Sequence, residues 1–126
     1  MPLVRLTGAY DAGTLSLAGA AVHDAMVATL NVPADDVFRV LHAVTPDAIV
    51  ADPAYLGIRR ERPLFVEVTL RAGRSDDQKR AFYRRVAELV VERAGVRESD
   101  VLVVLRENGL ADWSFGDGIA QYAPGN

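Results

Sequence analysis

The sequence predicts an α+β fold in which tandem βαβ repeats form a four-stranded sheet with two helices on one face. Three observations carry that expectation. The chain repeats itself: Leu3-Val4-Arg5-Leu6-Thr7 matches Phe65-Val66-Glu67-Val68-Thr69 at an offset of 62, and Val32-Pro33-Ala34-Asp35-Asp36-Val37 matches Val96-Arg97-Glu98-Ser99-Asp100-Val101 at an offset of 64. Each unit passes from a short apolar run to helical spacing and back to an apolar run, the alternation expected of a strand, a crossover helix and a second strand. Finally, 126 residues, half hydrophobic and a quarter charged, suit one domain with one core. The expected organisation is a single domain over 1–126: repeat one at about 2–45, a connector at 46–62, repeat two at about 63–107 and a tail at 108–126.

In the first unit, the apolar run Leu3 to Leu6 is short enough for a strand, and Gly8 to Gly13 interrupts it with loop chemistry. From about Thr14, Leu17, Ala18, Ala21, Val22, Ala25, Met26 and Leu30 recur at spacings of three and four, one face of an amphipathic helix. Pro33 stops it by disfavouring helical geometry in the preceding residue. Val37 to Val44, partly alternating and rich in β-branched residues, predicts the second strand.

The second unit is more sharply punctuated. Leu64 to Leu70 predicts a strand, Arg71-Ala72-Gly73-Arg74 a turn, and Ser75 an N-cap whose capping-box partner is Gln78. Asp76 and Asp77 suit the first turn of a helix, Phe82, Val86, Leu89, Val90 and Ala94 form its buried stripe, and Gly95 ends it. Val101 to Leu105 is continuous aliphatic sequence, expected of a strand covered on both faces or buried in an interface. Two helices cover only one sheet face, so an apolar bare face would drive oligomerisation.

Composition narrows the function classes. Seventeen acids against 14 bases give a net charge of −3, with no chain-wide attraction to nucleic acid or anionic membrane. Zero cysteines exclude thiolate nucleophiles and thiolate metal cages, and two histidines make a conventional zinc site a poor expectation. The aliphatic runs fall far short of the roughly 20 residues that span a bilayer. Met1 to Arg5 leads into a strand instead of a long apolar segment, which predicts no secretion signal and a cytoplasmic setting.

Walker, GxGxxG, GxSxG and HExxH motifs are all missing from the sequence. The conspicuous residue is Pro2. Removal of the initiator methionine would leave a secondary amine at the terminus, and a terminal amine titrates close enough to neutrality for neighbouring charges to tune it into an acid or base.

Pro2 leading straight into a strand, a second βαβ unit, and the helix entry Arg71-Ala72-Gly73-Arg74-Ser75 together resemble the tautomerase superfamily, typified by 4-oxalocrotonate tautomerase, over essentially the whole chain. Within that group, Val32-Pro33-Ala34-Asp35-Asp36, the Arg71 and Arg74 pair, and Asp112-Trp113-Ser114-Phe115-Gly116 followed by Ala120-Gln121 resemble the malonate semialdehyde decarboxylases. The tail motif is the most specific of these.

The resemblance implies a tautomerase/MIF-like fold, a homotrimer, a small carboxylate substrate and no metal or organic cofactor. It implies that the Pro2 amine is the catalytic group and that Asp36, with Asp35 as the neighbouring alternative, positions or activates water. It also implies that Arg71 and Arg74 bind the substrate and that Trp113 and Phe115 wall the site. The implied reaction is decarboxylation of a β-keto acid, with hydratase and tautomerase side activities. The Arg-x-Gly-Arg spacing also resembles cis-3-chloroacrylic acid dehalogenase, which leaves the division of labour between Arg71 and Arg74 open. A phenylpyruvate-type tautomerase and a noncatalytic oligomeric binding module are the alternatives.

Plainer roles are expected elsewhere. His23 reads as a surface or partly buried helix residue, Arg59-Arg60-Glu61-Arg62 as a solvated loop, Arg80, Arg84, Arg85 and Glu88 as a polar helix face, and Asp112 as a cap or turn in the tail.

Overall fold

The computed structural model describes residues 1–125; Asn126, the end of the expected tail, lies outside them. Its main elements are β1 (Leu3–Gly8), α1 (Ala12–Thr29), β2 (Arg39–Ala43), β3 (Leu64–Arg71), α2 (Asp76–Ala94) and β4 (Val101–Asn108). They form one four-stranded sheet in the order β2-β1-β3-β4, as expected from the tandem repeat. β1 and β2 run parallel, β3 and β4 run parallel, and β1 and β3 join the two units antiparallel.

The register shows an internal two-fold. Arg5 faces Glu67 across the central pair, and on either side of it Leu3 faces Thr69 as Thr7 faces Phe65. Val4 lies beside Arg39 in the first unit and Val66 beside Val103 in the second, the same pairing shifted by 62 and 64 residues. Sequence identity between the units is slight, yet the strands keep one register. A one-residue slip would turn every buried side chain to the other face.

Both helices pack on one face. Val4 and Leu6 from β1, Leu64, Val66, Val68 and Leu70 from β3, Leu15, Val22 and Met26 from α1, and Phe82, Val86 and Val90 from α2 are all buried there. Each large apolar side chain so buried contributes about 1.5–3 kcal/mol. α2 carries its predicted capping box: Gln78 N–H donates to Ser75 Oγ at 3.1 Å and Ser75 N–H to Gln78 Oε1 at 2.9 Å. Gly95 ends it at φ 68°, where a Cβ would be strained.

Several expectations need correction. α1 starts at Ala12, ahead of Thr14, because Asp11 caps it by accepting from Thr14 N–H at 2.7 Å. Leu17 is 52% exposed and off the buried stripe, since Gly13, Ala20 and Asp24 on the same helix flank all face solvent. Leu15 and Gly19 take the core side instead. β2 is shorter than Val37–Val44; Phe38 only offers its carbonyl to Val4 N–H, at 3.0 Å, before regular pairing starts.

The bare sheet face is also not uniformly apolar. Phe65, Leu102 and Val104 lie on it with Arg5, Glu67, Thr69 and Arg106, and Arg106 Nη2 reaches Glu67 Oε1 at 2.7 Å. Arg59 to Arg62 is a solvent-facing loop as expected, with Arg60 half-buried, but two of its side chains are fixed. Arg60 Nη1 donates to the carbonyls of Tyr55 and Ile58 at 3.2 and 3.3 Å, and Arg62 Nε donates to Ala9 O at 2.6 Å with its guanidinium 4.2 Å from the centre of the Tyr10 ring. Arg80, Arg84, Arg85 and Glu88 do face solvent. Among the described residues, no helix is long and apolar enough to cross a membrane.

Candidate active site

The loop after α1 builds one wall of the site. Asn31 takes a left-handed backbone at φ 57°, which turns the chain back toward the sheet edge. A turn then closes through Asp36 N–H donating to Pro33 O at 3.1 Å, and His23 Nε2 donates to Ala34 O at 2.8 Å, tying the turn to α1. This fixes the Asp36 carboxylate, 11% exposed, with Oδ2 3.6 Å from the amino nitrogen of Met1. Pro2 is buried directly before β1.

The opposite wall comes from the second unit. Arg71 is the last residue of β3 and Arg74 follows the turn after it. Arg74 Nε donates to Leu30 O and Nη1 to Arg71 O, both at 3.0 Å, so the guanidinium bridges the two units. Burial, and then the adjacent Arg71 cation, lower its pKa, while Glu107 acts the other way. Glu107 in turn is held by Lys79, which depresses the carboxyl's pKa.

The tail forms the third wall. Asp112 accepts from Gly109 N–H at 2.7 Å, the turn role expected of it, and Trp113 Nε1 donates to Asn108 Oδ1 at 2.7 Å. The Trp113 and Phe115 rings stack with centroids 5.4 Å apart and planes 3° from parallel. Phe38 and Tyr122 pack on Phe115 at 5.6 and 5.5 Å. Gln121 closes the segment, accepting from Phe115 N–H at 2.9 Å and donating to Gly116 O at 3.0 Å.

A cavity of about 250 Å³ collects Met1, Asp36, Arg71, Arg74, Trp113 and Tyr122 in its wall. Pro2 and Phe115 are not in its wall: Pro2 is buried next to Met1 in the chain, and Phe115, stacked on Trp113, lines a neighbouring cleft with Leu3 and Phe38. Of the six residues expected at the site, four (Asp36, Arg71, Arg74 and Trp113) therefore line one cavity, and Pro2 and Phe115 do not. Asp35, the neighbouring alternative to Asp36, is exposed and outside the cavity wall.

The family described as "Tautomerase enzyme" matches residues 35–116, a span that holds Asp36, Arg71, Arg74, Trp113 and Phe115. "Probable tautomerase YusQ" of Bacillus subtilis (strain 168) is 38% identical over 101 residues, covering 79% of this chain and 80% of its own. The chain belongs to the tautomerase family. Among solved structures, FG41 malonate semialdehyde decarboxylase inhibited by 3-bromopropiolate matches with TM-score 0.85 at 36% identity, over 97% of this chain and 93% of that one. A second malonate semialdehyde decarboxylase, described for decarboxylase and hydratase activities, matches with TM-score 0.85 at 32% identity over 95% of each chain.

As an enzyme of the tautomerase superfamily, the protein gathers a pair of guanidinium groups, a carboxylate, the start of the chain and an indole in the wall of one cavity. Such a cavity can hold a small carboxylate by paired charge-assisted hydrogen bonds while an amine or an acid acts on its other end. Sequence reasoning missed Phe38, Tyr122 and Asn31 here. Asn31, placed directly after a helix, was the one with a readable signal, since asparagine tolerates left-handed geometry. His23 is the partly buried helix residue that the sequence predicts; it stays out of the cavity wall and anchors the turn that carries Asp36.

Proposed function

We propose that this tautomerase-family enzyme is a cofactor-independent decarboxylase of a small β-keto acid of the malonate semialdehyde type. The observation that carries the reading is the single cavity joining the chain's start, Asp36, Arg71, Arg74 and Trp113. Its likeness to the two decarboxylase structures supports the choice of reaction.

In the active form Met1 is removed and Pro2 provides the terminal ammonium. Arg71 and Arg74 hold the substrate carboxylate, and the Pro2 ammonium hydrogen-bonds the β-carbonyl oxygen. The bond between the α-carbon and the carboxylate breaks, carbon dioxide leaves, and the electron pair forms the enol as the ammonium proton moves to oxygen. The enol then takes a proton at carbon from solvent, the one proton the reaction consumes overall, and returns its O–H proton, directly or through water, to the amine. Asp36, beside the terminal cation, favours the charged amine that this step needs, whereas the arginines oppose it. Trp113, backed by Phe115, supplies an apolar wall that disfavours the charged ground state relative to the charge-dispersed transition state. The same groups, with Asp36 orienting water, fit a hydratase side activity.

The relative named as a probable tautomerase favours a second reading, a 2-oxo acid tautomerase of the phenylpyruvate type in which the same amine shuttles a proton between carbon and oxygen. One substrate panel decides between them. Protein verified by intact mass to lack Met1 is assayed with malonate semialdehyde, phenylpyruvate enol and cis-3-chloroacrylate. The decarboxylase reading expects the highest kcat/KM on malonate semialdehyde and a fall of about 10²-fold or more in Pro2→Ala. Faster turnover of phenylpyruvate enol would replace it with the tautomerase reading, release of chloride as the fastest reaction would replace it with a dehalogenase, and unchanged kinetics in Pro2→Ala would remove the amine mechanism.

A further inference from the structure

A second cavity, of about 630 Å³, lies under the connector between the two units. The internal two-fold places it as the copy of the candidate active site. The offset of 62 takes Met1 to Pro63 and Arg71 to Ala9, and the offset of 64 takes Leu110 to Pro46 and Trp113 to Ile49. Those four counterparts line the second cavity as the originals line the first. The short 3-10 turns Pro46–Ala48 and Leu110–Asp112 are related by the same shift.

The copy lacks the chemistry of the original. The Pro63 nitrogen lies inside the chain and can offer no amine, and Ala9 and Ala12 stand where Arg71 and Arg74 do. The counterpart of Asp36 is Asp100, 1% exposed, whose carboxylate accepts Glu61 N–H at 2.8 Å and lies 3.5 Å from Arg97 Nη1. Among the described residues of its wall, no amine and no unpaired carboxylate is left to move a proton, Glu61 being paired with Arg97.

Arg60 and Arg62 of the connector supply cations that have no counterpart in the offset. Backbone carbonyls and the Tyr10 ring fix both side chains, and Arg62 donates through Nε, leaving its two terminal nitrogens for another acceptor. Among the described residues neither has a carboxylate within ion-pair distance. Glu61, the acid in the same wall, is paired with Arg97 at 3.5 Å. The rest of the wall is apolar: Pro46, Ile49, Ala51 and Pro53.

We infer that this cavity is a second, noncatalytic binding site for a small monocarboxylate with an apolar body, its carboxylate held by Arg60 and Arg62 and its body packed on Pro46, Ile49 and Ala51. A preformed guanidinium pair beside an apolar wall selects an amphipathic anion over inorganic phosphate, which has no body to bury. The inference is independent of the Pro2 chemistry.

The test is an amide NMR titration of the full chain with benzoate, with inorganic phosphate as the comparison. Saturable shifts are expected at the amides of Ala9, Ala51 and Glu61, with tighter binding of benzoate than of phosphate. Ala51→Glu, which keeps both arginines but places a carboxylate before them, and Arg60→Gln should each weaken benzoate about ten-fold or more at those amides. The double variant Arg71→Ala/Arg74→Ala should leave them unchanged. The proposal is overturned if no saturable shift appears there up to about 10 mM benzoate, or if phosphate binds as well. With every variant shown to be folded by circular dichroism, it is equally overturned if Ala51→Glu and Arg60→Gln bind benzoate with the original affinity, or if the Arg71→Ala/Arg74→Ala variant loses the shifts.

Discussion

Arg74 bridges the two units at the candidate site, and its own bonding dictates what replacing it should do. Its guanidinium spans Leu30 O and Arg71 O, so alanine removes two hydrogen bonds to carbonyls as well as the charge facing the cavity. Arg71 is exposed and has no ion pair among the described residues, so alanine there removes charge alone. Arg74→Ala is expected to lower kcat/KM on malonate semialdehyde by about ten-fold or more and to lower Tm as well, whereas Arg71→Ala lowers kcat/KM with Tm unchanged. Equal Tm in the two variants would refute the bridging role.

Tyr10 gives a residue-scale prediction in pH. Its hydroxyl donates to Arg62 O, and burial, followed by the Asp100 carboxylate, raises the phenol's pKa, with Arg62 and Arg97 acting the other way. A raised pKa means that the fold favours the protonated phenol. That contribution is fully present below the ordinary tyrosine value and is lost as pH rises through the folded one. The difference between alkaline ultraviolet titrations of the parent and Tyr10→Phe should isolate a component above the ordinary tyrosine range. A component at or below that range would contradict it.

At the scale of elements, the helices show how local signals and tertiary fit divide the work. Ser75 is legible because a capping box is local chemistry, and Ser75→Ala should destabilise the protein by about 1 kcal/mol in denaturant unfolding. Gly19 is not legible, since its reason lies on another element: a Cβ there would meet Arg39 Cδ at 2.7 Å, and Arg39 Nη1 donates to Gly19 O at 3.1 Å. Gly19→Val should therefore cost about 1–3 kcal/mol despite replacing a glycine inside a helix, and unchanged or raised stability would show that Arg39 moves aside freely. The same division runs through the strands and the site. β1, β3 and β4 were readable from apolar runs, and the repeat offsets carried their register. The outward face of β3 was misjudged, because Glu67 and Thr69 alternate with buried valines that dominate the run. Asp36, Arg71, Arg74 and Trp113 were readable as motif residues. Phe38 and Tyr122 were not, because their roles exist only once the tail folds back onto the loop before β2.

For the whole molecule, the question is what covers the sheet face opposite the helices. Phe65, Leu102 and Val104 form its apolar part; Val104 is 40% exposed, as is Val40 on β2. Arg5, Glu67 and Arg106 cross the same face, and the Arg106–Glu67 pair at 2.7 Å satisfies two of those charges within one chain. That pair can be buried against copies of the chain without stranding either of its ions, whereas Arg5, without an ion pair among the described residues, must find its acceptor on a neighbouring copy, and the apolar side chains flank both. We therefore expect the protein to form a closed homotrimer through this face, with a mass in light scattering three times that of the chain at micromolar concentration. Val104→Lys would place an unpaired ammonium there and is expected to give a lower mass with the far-ultraviolet circular dichroism retained, since the side chain is exposed in the single chain and lies outside the core beneath the helices. A parent that is monomeric at the same concentration would remove the trimer. A trimeric Val104→Lys would move the interface to another surface, leaving the bare sheet face to solvent.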